Sequence, residues 1–76
     1  MKPEYPPAAR RRGLEGKVDA IVTIDEKGTP IKVDIVGATN RIFIQPVVEA
    51  LMQSTYRPSN KKGIQRGSRT LRFVME

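Results

Sequence analysis

Two runs of alternating side chains, joined by a polar turn, make up residues 17–35, which read KVDAIVTIDEKGTPIKVDI. In each run an apolar residue stands at every second position, as a strand with one buried face requires. The inward positions are Val18, Ala20, Val22 and Ile24 in the first run and Ile31, Val33 and Ile35 in the second. Between the runs, Gly28 can adopt a positive φ at little cost, as short hairpin loops require. The stretch therefore predicts an antiparallel β-hairpin.

An amphipathic helix is predicted after the hairpin. Apolar and small residues recur there at helical spacing, namely Phe43, Val47, Ala50, Leu51 and Ser54. Thr39 or Asn40 can cap its start, because either side chain can accept a hydrogen bond from a backbone N–H. Pro46 has no N–H to donate and fits only in the first turn, so we expect the regular helix over about residues 44–54.

A short helix and a third strand complete the predicted fold. Pro6 and Pro7 favour a helix start, residues 8–12 continue it, and Gly13 is suited to end it in a left-handed conformation. In the last strand, near residues 66–75, Leu71, Phe73 and Met75 share one face, and Thr70, Arg72 and Val74 share the other. The order helix-strand-strand-helix-strand predicts an α+β fold: a three-stranded antiparallel sheet with the main helix packed on one face.

Length and composition limit the kinds of site that this chain can form. Its 76 residues allow one small domain, residues 1–76, in which we expect residues 1–4 to be a flexible lead-in. Because cysteine and histidine are absent, disulfides and metal sites built on thiolate or imidazole are excluded. The aromatic residues are Tyr5, Phe43, Tyr56 and Phe73. In so small a domain we expect them in the core, and we predict no cofactor.

Catalysis is not predicted. The carboxylates Asp19, Asp25, Glu26 and Asp34 fall on an outward strand face or in a turn. No histidine, cysteine or glycine-rich phosphate loop accompanies them, so the groups that acid–base or nucleophilic catalysis would need are missing. We therefore expect a binding protein and not an enzyme.

The net charge of +6 is concentrated towards the C-terminus. Residues 57–72 contain no acidic residue and carry Arg57, Lys61, Lys62, Arg66, Arg69 and Arg72. Such a segment is either a solvated face or a surface that binds a polyanion. Arg10-Arg11-Arg12 is a second basic cluster, although arginine there also suits the C-terminal end of a helix. The longer segment makes a small nucleic-acid-binding domain the alternative function.

The last strand is predicted to lie at an open edge of the sheet. Three strands leave two edges, each with unpaired N–H and C=O groups that can pair with another strand. The last strand contains no proline, and its arginines either accompany a binding edge or only prevent aggregation there. We expect it to receive an extended peptide through main-chain hydrogen bonds, with the N–H group of either Thr70 or Arg72 facing that peptide.

Several landmarks, in this order, resemble the C-terminal domain of TonB-type energy transducers. In that family a Tyr-Pro pair opens the domain, Gly-x-Val leads the first strand, Gly marks the hairpin, Phe begins the helix, and Ala and Tyr-x-Pro follow. The matching residues are Tyr5-Pro6, Gly16-Lys17-Val18, Gly28, Phe43, Ala50 and Tyr56-Arg57-Pro58. The chain departs from the pattern at Ser54, where many members have Trp, and at Pro46, which interrupts a helix turn that is usually regular.

The resemblance implies a periplasmic domain that drives active uptake by pairing its last strand with the TonB box of an outer-membrane transporter. The implied site combines the lead-in and the last strand: Lys2, Pro3, Glu4, Arg66, Gly67, Ser68, Arg69, Thr70, Leu71, Arg72, Phe73 and Val74. It also implies an inner-membrane anchor and an energising complex, reached through a region N-terminal to this chain. From the open edge and an expected hinge loop over residues 59–67, we further expect a homodimer in which the last strand pairs with that of a second copy or is exchanged with it.

Overall fold

The computed structural model describes residues 3–57 and 63–75. Along the chain they form helix α1 (Pro7–Arg11), strands β1 (Gly16–Ile24) and β2 (Pro30–Ala38), a 3-10 turn (Arg41–Phe43), helix α2 (Ile44–Gln53) and strand β3 (Gln65–Phe73). Both strand pairs are antiparallel, and the sheet order is β2-β1-β3. The predicted α+β fold and its element order are confirmed. The predicted loop over residues 59–67 is too long, because Gln65 already belongs to β3, and most of the remainder lies outside the described residues.

The glycines expected at the end of the first helix and in the hairpin loop both have the predicted positive φ. Gly13 follows α1 with a φ of +67°, and Gly28 has a φ of +86° in the hairpin turn. In that turn the Asp25 carboxylate accepts hydrogen bonds from the N–H groups of Lys27 and Thr29, each at 2.9 Å. The aspartate thus holds the loop in the shape that the glycine permits.

Strand β2 differs from the prediction at Ile31. The residue pairs are Thr23 with Lys32 and then Ile24 with Pro30, so Ile31 has no partner across the hairpin. This β-bulge turns Ile31 outward, where it is 48% exposed, and Pro30 is buried in its place. The prediction that Ile31 belongs to the core was therefore wrong.

The start of the second helix uses both candidate capping residues, in different ways. Asn40 caps the 3-10 turn, because its side-chain oxygen accepts the N–H of Ile42 at 3.0 Å. The hydroxyl of Thr39 instead accepts the N–H of Lys17 at 2.9 Å and so ties the end of β2 to β1. Pro46 is the third residue of α2 and lies in its first turn, as predicted.

The core lies between α2 and one face of the sheet, with α1 closing one end. Its buried members are Ala9, Val18, Ala20, Val22, Phe43, Val47, Ala50, Leu51 and Phe73. Tyr5, Tyr56 and Leu71 are partly buried and pack against this cluster. Met75, expected on the inner face, follows the end of β3 and is 38% exposed. Ala9 was missed because a single alanine in a short arginine-rich helix does not reveal which face is buried.

Candidate partner-strand site

Strand β3 has one paired side and one free side. All nine of its residues pair with β1 in an unbroken register, from Phe73 opposite Gly16 to Gln65 opposite Ile24. Among the described residues no strand pairs with its other side, because β3 is last in the sheet order. The predicted edge position of the last strand is therefore correct.

One hydrogen bond between β1 and the end of β2 shows which backbone groups of β3 point to its free side. The N–H of Thr39 donates to the carbonyl of Lys17 at 3.0 Å, so the backbone groups of Lys17 face β2. Because these groups alternate along a strand, those of Val18 face β3 and bond with the opposite residue, Leu71. Leu71 is therefore bonded inward, and its neighbours Thr70 and Arg72 face outward.

The same alternation applies along the whole of β3. The residues whose N–H and C=O groups point to the free side are Arg66, Ser68, Thr70 and Arg72. Thr70 and Arg72 are two positions apart and face the same way, so the expectation that only one of them would face a partner was wrong. An added strand can therefore bond at four successive outward positions, and at Ser68 it would displace the Arg69 guanidinium, which donates to that carbonyl at 2.8 Å.

Side chains at these outward positions lie on the face of the sheet opposite α2. The hydroxyl of Thr70 donates to Asp19 Oδ1 at 2.7 Å, and Arg66 Nη2 lies 3.8 Å from Asp34 Oδ2. These contacts tie the strand's polar face to β1 and β2, and at the edge itself the Arg69 guanidinium donates to the Ser68 carbonyl at 2.8 Å. Of the outward side chains, Ser68 is short, Arg66 and Thr70 lie against carboxylates, and Arg72 is exposed.

The opposite edge of the sheet, along β2, is irregular. Besides the bulge at Ile31, a second register shift separates the pairs Asp19–Gly37 and Ala20–Ile35 and leaves Val36 extra and 67% exposed. Bulges and a proline disturb the row of backbone groups that an incoming strand needs. The two edges therefore differ, and β3 is the better template.

A groove of about 430 Å³ runs beside the C-terminal end of β3. It is lined by Pro3, Tyr5, Arg10, Leu71, Arg72, Phe73 and Val74. Tyr5 is fixed there, because its hydroxyl donates to the carbonyl of Leu14 and the Arg10 guanidinium lies 5.1 Å above its ring. The end of β3 is held by Glu15, whose carboxylate accepts the N–H of Met75 at 2.6 Å. These contacts hold the groove in place beside the free edge of β3.

Not every residue of the predicted site lies at this edge. Pro3 reaches the β3 groove, but Glu4 lines a separate groove against α2, together with Ile42 and Glu49. Lys2 is outside the described residues. Tyr5 and Arg10 line the β3 groove and were not predicted as site residues, although both belong to motifs noted in the sequence, the Tyr-Pro pair and the arginine cluster.

Comparisons with known proteins agree with this geometry. The family model described as Gram-negative bacterial TonB protein C-terminal matches residues 1–75. The chain belongs to this family. A solved structure, the solution NMR structure of the Pseudomonas aeruginosa TonB C-terminal domain, superposes with a TM-score of 0.84 at 25% sequence identity. The match covers 100% of this chain and 81% of that one. No curated protein matches the chain.

Family membership gives the broad setting of this domain. TonB C-terminal domains belong to a non-enzymatic, energy-transducing family of the periplasm of Gram-negative bacteria, and the family interacts with outer-membrane transporters. In the described part of this chain, no helix has the length and apolar character needed to cross a membrane. At the departure from the family pattern, the Ser54 hydroxyl donates to the Ala50 carbonyl at 2.6 Å and closes the last turn of α2.

Proposed function

We propose that this chain is the partner-binding domain of a TonB-type energy transducer, and that β3 binds the TonB box of an outer-membrane transporter by strand addition. The observation that carries the proposal is the regular free edge of β3, with four outward-facing residues and no bulge. Main-chain bonds supply affinity in this mode, and neighbouring pockets supply selectivity. The groove formed with Pro3, Tyr5 and Arg10 extends the contact beyond the strand.

In this proposal the domain holds a peptide and catalyses nothing. The carboxylates that would be candidates for acid–base chemistry have structural contacts instead. Asp25 closes the hairpin turn, Asp19 accepts the hydroxyl of Thr70, and Asp34 lies near Lys32 and Arg66. These contacts support a non-enzymatic role.

The proposal also includes the rest of the transducer. An inner-membrane anchor and energising complex would connect through a region N-terminal to Pro3, the residue at which the described chain begins beside the β3 groove. Because Pro3 lines the groove beside β3, force applied through that region would reach the domain next to the bound strand. Several main-chain bonds would then share the force during transport.

Hydrogen exchange tests strand addition with controls inside the same strand. In the free domain we expect the amides of Ser68, Thr70 and Arg72 to exchange quickly, while those of Arg69 and Leu71, bonded to β1, exchange slowly. Saturation with a transporter-derived TonB-box peptide should slow exchange at the first three and change the other two little. Peptide binding without protection at those three amides would show that the peptide binds elsewhere.

The alternative, nucleic-acid binding by residues 57–72, has weaker support from the described residues. Arg66 lies beside Asp34, and the Arg69 guanidinium lies 5.6 Å from the centre of the Tyr56 ring. Phe43 and Phe73 are buried and therefore offer no surface for stacking bases. A salt titration separates the two functions, since affinity for an oligonucleotide falls steeply with salt and strand pairing is far less sensitive.

A further inference from the structure

A second, smaller recess lies near the N-terminal end of β3, on the face that α2 covers. It has a volume of about 160 Å³, with Val22 and Ile24 contributing its apolar surface and Tyr56 one wall. Gln65, Gly67 and Arg69 of β3 complete the lining used in this argument. We call it the Gln65 recess. It is separate from the groove beside Phe73, because the two share no lining residue.

The recess contains an unused hydrogen-bond donor. Gln65 Nε2 is buried and has no hydrogen-bond partner among the described residues. Burial of an amide N–H₂ without an acceptor is costly, and such groups are uncommon in folded proteins. The amide therefore has donor capacity that an acceptor oxygen entering the recess could use.

The charge of the recess favours an anionic oxygen. Arg69 donates from Nη1 to the carbonyl of Ser68 at 2.8 Å and lies over the Tyr56 ring, which leaves further guanidinium N–H groups for a ligand. No carboxylate lines the recess within the described part of the chain. Arginine binds carboxylates well because its donors are planar and permanently charged.

Gly67 keeps the recess open. Its φ is not positive, so its backbone conformation does not require glycine. A Cβ built at this position would lie 3.5 Å from Arg69 Nη1, an ordinary contact that would nevertheless fill the space beside the guanidinium. A glycine within a strand is typical of a place where another group approaches closely.

We propose that the Gln65 recess binds a side-chain carboxylate, from Asp or Glu, of the strand that adds to β3. This inference rests on the proposed function. An added strand would lie about 4.8 Å from β3, and every second side chain would point to the face where Gln65, Gly67 and Arg69 lie. A carboxylate at the position opposite Gly67 can then accept from both the amide and the guanidinium. The recess would fix the register of the bound peptide.

The first test probes the recess without any peptide. Propionate is titrated into the ¹⁵N-labelled domain while the side-chain N–H₂ signals of Gln65 are followed. We expect a saturable shift with propionate, none with the neutral analogue propionamide, and loss of the shift in Gly67→Ala. Gly37→Ala is the matched control, because a Cβ there meets nothing within 4 Å and lies on another strand. An equal response to propionamide, or no saturable response to propionate, would overturn the proposal.

The second test uses strand-forming host peptides that alternate Thr and Val and carry one Glu at successive positions. At one position we expect the Glu peptide to bind about tenfold more tightly than its Gln counterpart, as a charge-assisted hydrogen bond predicts. Gln65→Met should reduce that preference and Arg69→Met should remove it, while the Gln peptide binds as before. Equal affinity of all Glu and Gln peptides overturns the recess proposal and leaves strand addition standing. If no peptide binds, strand addition fails, and the propionate titration alone decides the recess.

Discussion

The rings of Phe43 and Phe73 stack with their centroids 4.4 Å apart and their planes 19° from parallel. Phe43 stands at the start of α2 and Phe73 at the end of β3, so the contact joins the helix to the last strand. Tyr5 meets both rings edge-on, at 5.9 Å and 5.6 Å. Three aromatic residues therefore connect the N-terminal segment, the helix and the edge strand, and the proposed binding edge rests directly on the core.

Replacing Phe43 with alanine should come close to unfolding the domain. Phe43 is fully buried, so its truncation should cost about 3–5 kcal/mol. A small domain has a total stability of roughly 5 kcal/mol or somewhat more. Urea unfolding measures the loss. Ile31→Ala, at the exposed bulge residue, is the control and should change stability by only about 0.5 kcal/mol. A Phe43→Ala domain as stable as the parent would contradict this description of the core.

Gly16→Ala should destabilise the domain, whereas Gly37→Ala should not. A Cβ at Gly16 would collide with the Thr39 hydroxyl and lie 2.9 Å from a ring carbon of Phe43. Such overpacking costs about 1–3 kcal/mol and would disturb the bond from Lys17 N–H to Thr39. At Gly37 a Cβ meets nothing within 4 Å. Paired thermal melts test the prediction, and equal melting temperatures for the two variants would refute it.

The sequence predicted the elements well because their signals are local. Alternation identified β1, and the glycines at positions 13 and 28 marked turns that only a residue without a Cβ forms cheaply. The bulges at Ile31 and Val36 could not be predicted in this way. A bulge depends on which residues pair across two strands, and the alternating pattern of β2 alone is compatible with an unbroken register.

The sequence predicted which strand forms the candidate site. It did not predict which backbone groups of that strand face outward or which residues lie beside it. The edge position of β3 follows from a sheet of three strands in which β1 and β2 form a hairpin. The outward direction of Thr70 and Arg72 can be found only from the pairing of β1 with β3 and from the hydrogen bond between Thr39 and Lys17. The contribution of Arg10 depends on how α1 folds back over Tyr5, and the sequence of a five-residue helix does not contain that information.

We predict concentration-dependent dimerisation through the same edge. A second copy can pair with β3 or exchange it, because the edge is regular and among the described residues no strand pairs with it. Sedimentation should show a monomer–dimer mixture that shifts towards dimer near millimolar concentration. Saturating TonB-box peptide should return the mixture to monomer, since both use one edge. A strictly monomeric domain at that concentration would disprove the prediction.

Proline substitutions provide the sharpest test of strand addition, because at neighbouring positions of β3 they should abolish either peptide binding or folding. Thr70 and Arg72 point their N–H groups outward, so Thr70→Pro and Arg72→Pro should each leave the domain folded and abolish binding of the TonB-box peptide. Leu71→Pro removes a donor that bonds β1 and should unfold the strand instead. Thr70→Ala and Arg72→Ala keep the backbone donor and should weaken binding by no more than about 1 kcal/mol.

Thermal melts establish folding, and calorimetry with the peptide measures affinity. Normal binding by both folded proline variants would exclude this edge, and loss of binding in Arg72→Ala alone would make the guanidinium, not the main chain, the principal contact.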